Sequence, residues 1–308
     1  MDLRGHNVNP RDSGQPDLTT RRRSKLSGVD HRPKDGGLIA ATPYSDVNVV
    51  VSLLLGNVRR ILGDEFVGMY LYGSLATGDF DPAASDIDFL VVTKAEVSDA
   101  VLAHLREMHR QIGSGGTSYA NRLEGSYIPL KAVRHYDNSN ASHPSIGVDW
   151  EFGVGHHGPA WVLERHSLSR QGVVVSGPSP GTLIDSVSPR ELRIAVTDLL
   201  RDFWQRQVDG ADWRRPRAYQ AFAILTLCRA LYTLERGSLV SKRVAVEWAR
   251  RSLEMEWVPH LDRAWLWRHD HAEDDMTDTL EFLRYALARS RPNWITPERE
   301  KTDMAGRG

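Results

Sequence analysis

Cysteine is almost absent from this sequence. The 308 residues contain one cysteine, Cys228, which excludes a framework of internal disulfide bonds and is consistent with a reducing compartment. Its neighbours in the sequence are mostly aliphatic, as in the segment Ile224-Leu225-Thr226-Leu227. We therefore expect a buried, unreactive thiol at this position.

The sequence also lacks a long apolar run and an excess of charge of either sign. A membrane-spanning helix needs about 20 consecutive apolar residues, and the aliphatic stretch from Val49 to Leu55 is far too short. Lys and Arg number 39 against 40 Asp and Glu, whereas a dedicated nucleic-acid-binding domain is usually basic. These features predict a soluble cytoplasmic protein with no membrane contact and no general affinity for nucleic acid.

Two common nucleotide-binding motifs are missing as well. Gly73 and Gly78 have the spacing of a Walker-type phosphate loop, but Asp79 stands where that loop needs a lysine. The glycine cluster at residues 113–116 contains no Gly-x-Gly-x-x-Gly and follows a predicted helix. A phosphate-loop NTPase and a classical dinucleotide-binding site are therefore not expected.

The sequence does contain a polar motif between two apolar strands. A predicted strand over residues 67–72 ends at Gly73-Ser74, and a second apolar strand carries Asp86 and Asp88. Residues i and i+2 of a strand point to the same face, so the two carboxylates are expected to project together. A divalent cation relieves their repulsion, and Mg²⁺ binds carboxylate and phosphate oxygens. The motif therefore predicts a phosphate-binding turn beside a metal site.

A third acid belongs to the same predicted sheet. Residues 122–130 read as a strand, with Glu124 near its start, and an amphipathic helix over about residues 97–112 precedes it. A strand, a crossover helix and a further strand form a parallel pair. We therefore expect Glu124 to lie beside Asp86 and Asp88.

The fold class predicted from these patterns is α+β, with a mixed sheet and flanking helices followed by a C-terminal α-helical bundle. We expect a disordered tail over residues 1–43, an α+β domain over 44–180, a helical domain over 181–296 and a frayed tail over 297–308. The Gly- and Pro-rich segment 177–181 reads as the linker. From Ser188 onward the periodicity is helical throughout.

These motifs closely resemble those of the DNA polymerase β-like nucleotidyltransferase superfamily. Residues 45–290 are similar to its aminoglycoside nucleotidyltransferases, and in particular to the streptomycin/spectinomycin adenylyltransferase group. The segments that carry the resemblance are, in order, 71–74 (LYGS), 85–88 (SDID), 175–178 (VSGP), 212–213 (DW), 225–229 (LTLCR) and 241–249 (SKRVAVEWA). The first two are typical of the superfamily, and the later ones of the group.

The resemblance implies an enzyme that transfers AMP from ATP to a hydroxyl of a small-molecule acceptor, an aminoglycoside, and so modifies an antibiotic. We expect a monomer, although the resemblance does not determine the oligomeric state. It implies that Asp86 and Asp88 hold Mg²⁺, as two ions, and that Glu124 takes the proton from the acceptor hydroxyl. It further assigns roles to two other sets of residues. The nucleotide-binding set is Gly73, Ser74, Ser85, Arg229 and Lys242, and the acceptor-binding set is Trp150 and Asp212.

One departure from the group concerns the acceptor. Near Asp212 the group tends to carry further acids, whereas this sequence continues with the basic run 214–217 (RRPR), and Tyr219 stands where an acid is expected. A run of arginines that faced the cleft would repel a cationic acceptor. Two alternatives therefore stay open, namely nucleotidyl transfer to RNA or protein, and a nucleotide-binding regulator on the same fold.

Overall fold

The computed structural model describes residues 39–147, 150–210 and 214–290. Both predicted tails lie largely outside these ranges. Residues 39–43 are described, and the backbone N–H of Thr42 donates a hydrogen bond to Asn48 Oδ1 at 3.0 Å. The chain therefore packs against the first helix before residue 44, while the exact domain boundaries stay predictions.

The first half of the chain builds a six-stranded mixed sheet, as expected for an α+β fold. Its strand order is β5-β4-β3-β2-β1-β6. β2 and β3 are parallel, and the other neighbouring pairs are antiparallel. The strands are β1 (Phe66–Leu71), β2 (Ile87–Thr93), β3 (Leu123–Pro129), β4 (Ser142–Gly147), β5 (Trp150–His156) and β6 (Val173–Ser176).

Helices cover both faces of this sheet and make up most of the second half. They are α1 (Ser45–Leu62), α2 (Gly73–Thr77), α3 (Asp99–Ser114), α4 (Leu130–Arg134), α5 (Ala160–Gln171), α6 (Pro180–Leu183), α7 (Pro189–Leu199), α8 (Gln205–Asp209), α9 (Arg217–Arg236), α10 (Lys242–Ser252), α11 (Val258–Leu266) and α12 (Thr277–Arg289). A π-helical segment, Leu200–Trp204, joins α7 to α8.

The two faces of the sheet bury different sets of side chains. One face packs on α1 and α3, whose apolar stripes are buried, as the helical spacing predicts. The opposite face packs on α4 and α5 around Tyr70, Leu90 and Ile128. Since side chains alternate along a strand, this second face is also the one that carries Asp88.

The helical half is organised around α9. Most of this helix is buried, as its nearly all-round apolar sequence predicts, and α7, α10, α11 and α12 pack against it. Cys228 lies inside the helix, and burial raises the pKa of its thiol, as expected for an unreactive side chain. In the described part of the chain, no helix combines the length and the apolar composition that crossing a bilayer requires.

The helical half is not entirely helical, which corrects the expectation drawn from its periodicity. Two short strands, β7 (Arg214–Pro216) and β8 (Glu273–Asp275), form an antiparallel ribbon. The strands are too short for a period-2 pattern, and their partners lie about sixty positions apart in the chain. Local periodicity therefore could not predict the ribbon.

Candidate active site

Gly73 and Ser74 begin a short helix immediately after β1. Gly73 has φ 60, in the left-handed region that glycine adopts without strain. α2 follows for only five residues and ends at Gly78, which also has a positive φ. The sharp change of direction at Gly73 brings the backbone and the Ser74 side chain to the edge of the sheet.

Asp86 and Asp88 flank the first residue of β2. Asp88 lies within the strand, and Asp86 immediately precedes it, so only one of the two aspartates is part of the regular strand. The backbone N–H of Tyr72 donates to Asp88 O at 3.1 Å, which ties β2 to the residue before Gly73. The Asp88 side chain is buried, with 3% of its residue surface exposed.

Glu124 lies directly opposite Asp88. The parallel register of β2 and β3 pairs Asp88 with Glu124, and directly paired residues on neighbouring strands point to the same face. Glu124 is as buried as Asp88. The structure therefore brings together the acids that the crossover pattern predicted to be neighbours.

Two cations of the helical half face this edge of the sheet. Arg229 on α9 is buried, and its Nε donates to Val240 O at 3.0 Å. Burial lowers the pKa of Arg229 to about 10, and the charges of Asp88 and Asp79 oppose that shift. Lys242 is the first residue of α10, and its Nζ lies 4.8 Å from the centre of the Phe222 ring.

A cavity of about 570 Å³ lies between these groups. Its walls come from α2, from the segment 78–88 and from the helical half. Gly73, Ser74, Ser85, Asp86, Asp88, Arg229 and Lys242 all line it. Glu124 is not among the described residues that line it, and it lies one strand beyond Asp88. Every predicted nucleotide- and metal-binding residue therefore lines this cavity, whereas the predicted base, Glu124, does not.

The acids of this cavity fit a magnesium site of the kind that a nucleotide completes. Among the described residues, no group of three or more His, Cys, Asp or Glu side chains is arranged to hold a metal ion. Mg²⁺ is commonly held by one or two carboxylates together with waters and substrate phosphates. Asp86 and Asp88, side by side in the cavity wall, supply such a pair.

A second cavity, of about 1000 Å³, opens on the same face of the sheet as Glu124. Ser126, two residues after Glu124, pairs with Ser145 of β4, and Ser145 pairs with Gly153 of β5. Ser145 and Gly153 line the cavity. Its charged lining contains four acids, two arginines and three histidines, namely Glu151, Glu191, Asp198, Asp202, Arg165, Arg206, His135, His156 and His157.

Some of these acids already have partners within the protein. Asp198 and Asp202 both bond to Arg201, each at 2.9 Å. Glu191 completes the capping box of α7 with Ser188, as the sequence of that helix start predicts. Glu151 is exposed at the beginning of β5. The second cavity is therefore a wide space of mixed charge in which most of the acids have partners, and Glu124 is not among the described residues that line it.

One arginine of the basic run 214–217 is neutralised by acids of the helical half. Arg217 pairs with Asp270 at 3.0 Å and with Asp274 at 2.9 Å. β7 lies against β8, whose sequence is Glu-Asp-Asp. Tyr219 donates a hydrogen bond to Gln207 Oε1 at 3.1 Å. Arg217 is thus held by acids that follow it by more than fifty residues, and none of Arg214, Arg215 and Arg217 is among the described residues that line either cavity.

The predicted acceptor-binding residues cannot be placed in either cavity. Asp212 lies outside the described residues, and so does the side chain of Trp150, although its backbone begins β5. Their roles stay predictions. Trp265 lines the first cavity, and Arg268 Cζ lies 3.7 Å from the centre of its ring. The ring of Trp267 is contacted by the guanidinium groups of Arg217 and Arg263.

The sequence did not predict the ion pairs that join opposite walls of the first cavity. Arg243 Nε lies 3.2 Å from Asp79 Oδ1, and His269 Nε2 lies 2.9 Å from Asp81 Oδ2. Both aspartates belong to the segment between Ser74 and Asp86 that the motif left as a spacer. Arg243 directly follows Lys242, and this adjacency was the one signal that could have drawn attention to it.

Two family models match this chain. The model described as the nucleotidyltransferase domain matches residues 55–124, which contain Gly73, Ser74, Asp86, Asp88 and Glu124. The model described as the C-terminal domain of aminoglycoside adenylyltransferase matches residues 182–289, which contain Arg229 and Lys242. The two matches lie on opposite sides of the first cavity.

Similar proteins are known in both sequence and structure. The spectinomycin 9-adenylyltransferase of Staphylococcus aureus (strain Mu50 / ATCC 700699) is 27% identical over 217 residues, which are 67% of this chain and 79% of that protein. The aminoglycoside (3'') (9) adenylyltransferase of Shigella flexneri is 24% identical over 258 residues, 78% of this chain and 94% of that protein. The crystal structure of spectinomycin adenyltransferase AAD(9) from Enterococcus faecialis with ATP and spectinomycin has the same fold. Its TM-score is 0.60 at 16% identity, over 79% of this chain and 98% of that one.

Proposed function

This chain belongs to the aminoglycoside nucleotidyltransferase family, and from that premise we propose that it transfers AMP from ATP to a hydroxyl of an aminoglycoside-like small molecule. The observation that carries the proposal is the direct pairing of Asp88, which lines the first cavity, with Glu124 on the neighbouring strand. One cavity supplies the groups for a nucleotide, and the other offers space for an acceptor.

The first cavity suits a magnesium nucleoside triphosphate. Its cations are Arg229, Lys242, Arg243 and Arg268, and Ser74 and Ser85 add hydroxyl groups. Charge grows on phosphate oxygens during nucleotidyl transfer, so fixed cations close to those oxygens stabilise the transition state. Asp86 and Asp88 would hold Mg²⁺, which supplies further positive charge at the phosphate that is attacked.

Glu124 is suited to remove the proton from the attacking hydroxyl. It lies opposite Asp88, on the face of the sheet where Ser145 of β4 and Gly153 of β5 line the second cavity. An acceptor bound on this face of the sheet would present its hydroxyl to Glu124 and to the α-phosphate. General-base catalysis of this kind typically contributes about 10²–10⁴-fold in rate.

The acidic lining of the second cavity favours a cationic acceptor. Glu151, Asp198 and Asp202 contribute negative charge, and opposite charges attract across a cavity of low dielectric constant more strongly than in bulk water. The two relatives named above are adenylyltransferases for spectinomycin or aminoglycosides. An amino sugar or aminocyclitol fits both the charge and the space.

The decisive experiment is a transfer assay with mass-spectrometric detection. Purified protein, ATP and Mg²⁺ are incubated with spectinomycin, streptomycin, other aminoglycosides and neutral sugars, and each acceptor is examined for the mass of an added AMP. We expect adenylylation of at least one cationic acceptor and none by the Asp88→Asn variant. Transfer to RNA or protein substrates, with every small molecule unmodified, would contradict the proposal.

A further inference from the structure

The ion pair between Asp79 and Arg243 spans the proposed nucleotide cavity. Asp79 directly follows Gly78 at the end of α2, and Arg243 is the second residue of α10. The pair joins residues 164 positions apart. Both side chains line the cavity that also contains Ser74, Asp88 and Lys242.

The Asp79 side chain is largely buried and contacts a cation. Its side chain is 17% exposed, whereas that of Arg243 is 58% exposed. Oδ1 accepts the bond from Arg243, and in the described part of the chain no group donates a hydrogen bond to its buried Oδ2. The Asp79 charge also acts on Arg229, whose pKa is lowered by burial, and it opposes that lowering. The carboxylate thus faces two arginines.

A buried carboxylate oxygen without a donor is costly, because it has lost water and gained no hydrogen bond in return. A triphosphate in this cavity would bring several oxygens with negative charge to the same cations. A guanidinium group can donate two parallel hydrogen bonds to phosphate oxygens. The contact of Arg243 with Asp79, at 3.2 Å, uses Nε alone. Arg243 is also the more exposed partner and has room to turn.

We propose that Asp79 holds Arg243 in the nucleotide-free protein and releases it to the triphosphate when the magnesium nucleotide binds. This inference rests on the proposed function, because it takes the cavity to be the nucleotide site. Arg243 is then a nucleotide-binding residue beside Lys242. Asp79 is a positioning residue that competes with the phosphates for Arg243 and so weakens nucleotide binding.

If Arg243 exchanges Asp79 for phosphate, substitutions of these two residues should change the nucleotide affinity in opposite directions. Asp79→Asn removes the competing charge, so the nucleotide should bind about three- to tenfold more tightly. Arg243→Gln removes a charge-assisted phosphate contact, so binding should weaken about tenfold. In the double variant the gain from Asp79→Asn should disappear, because that gain acts through Arg243.

The test is calorimetric titration of the full-length protein with Mg²⁺ and α,β-methylene-ATP, an analogue whose α–β bridge cannot be cleaved. Wild type, D79N, R243Q, the double variant and R243K are compared. R251Q serves as control, since Arg251 is an exposed arginine of the same helix and should bind the analogue as wild type does. R243K should recover part of the loss. Circular dichroism melting verifies that each variant is folded.

Three results would overturn the inference. Weaker binding by both D79N and R243Q would make the pair a structural link between the halves of the protein. A gain from D79N that persists in the R243Q background would mean that Asp79 repels phosphate directly. No binding of the analogue by the wild type would remove the nucleotide site itself. By contrast, a protein that binds the analogue and adenylylates no acceptor would refute the proposed function alone.

Discussion

Asp88 of β2 and Glu124 of β3 are directly paired residues in a parallel register, and both side chains are almost fully buried. Two acids in this relationship would repel each other strongly if both were ionised without a nearby cation. Asp88 lines the first cavity, whereas Glu124 does not. We propose different tasks for the two acids: Asp88 holds the metal, and Glu124 takes the proton from the acceptor hydroxyl.

Replacement of Asp88 by Asn should abolish AMP transfer and leave the fold intact. The amide keeps the size of the side chain and removes the charge that holds the metal. Pyrophosphate release measures activity, and thermal melting followed by circular dichroism measures folding. Asp64→Asn, at an exposed position far from both cavities, is the matched control. Unchanged turnover in the Asp88 variant would show that this carboxylate does not serve the reaction.

Replacement of Glu124 by Gln should lower kcat by about 10²–10⁴-fold, the usual contribution of a general base. The KM for ATP should stay close to the wild-type value, since Glu124 does not line the first cavity. Steady-state kinetics at fixed, saturating acceptor separates the two constants. Glu65→Gln provides an exposed control. A change confined to the KM for ATP would assign Glu124 to nucleotide binding instead of proton transfer.

Replacement of Lys242 by Gln should raise the KM for ATP about tenfold, because a charge-assisted contact to phosphate is lost. The KM for the acceptor should change much less. Lys94→Gln, an exposed lysine just beyond β2, tests whether loss of any nearby positive charge has the same effect. If both variants raise the KM equally, the effect comes from the general field of the protein and not from a contact.

The double replacement Asp198→Asn and Asp202→Asn should raise the KM for a cationic acceptor by about two- to fivefold. The effect is modest because Arg201 already pairs with both acids and solvent screens exposed charges. The KM for ATP should not respond. Asp209→Asn is the control, since Asp209 is exposed at the end of α8 and does not line the cavity. An unchanged acceptor KM would place the acceptor elsewhere.

His109 should make the stability of the protein depend on pH. Burial lowers the pKa of His109 to about 3, from an ordinary value near 6.5. The folded protein therefore binds fewer protons at this site than the unfolded chain between these two pH values, and stability falls as the pH falls. Between pH 7 and pH 5 this histidine alone should cost about 2 kcal/mol of unfolding free energy.

Urea unfolding at the two pH values measures this contribution as a difference between variants. His109→Gln should lose that part of the pH dependence, whereas His104→Gln, at an exposed position of the same helix, should keep it. His109 Nε2 lies 2.8 Å from the Tyr127 hydroxyl, so the Gln variant will also be less stable at pH 7. An identical pH dependence in both variants would contradict the expected linkage.

The sequence by itself predicted which residues form the nucleotide half of the candidate site. Gly73, Ser74, Asp86 and Asp88 lie within sixteen residues, and their arrangement follows from one turn and the alternation of side chains along a strand. Glu124 could be added because a strand, a helix and a further strand form a parallel pair. These are local rules, and the structure places Gly73, Ser74, Asp88 and Glu124 as they predict, whereas Asp86 lies just before the strand.

Only the tertiary structure decided which charges meet. The acids that neutralise Arg217 follow it by more than fifty residues, and Arg243 meets Asp79 across 164 positions. Ion pairs leave no periodic trace in a sequence, because an exposed arginine and a paired arginine occupy the same kinds of position. The pairing of Arg217 with its acids, and the contact of the segment between Ser74 and Asp86 with α10, follow only from the way the two halves of the chain pack together.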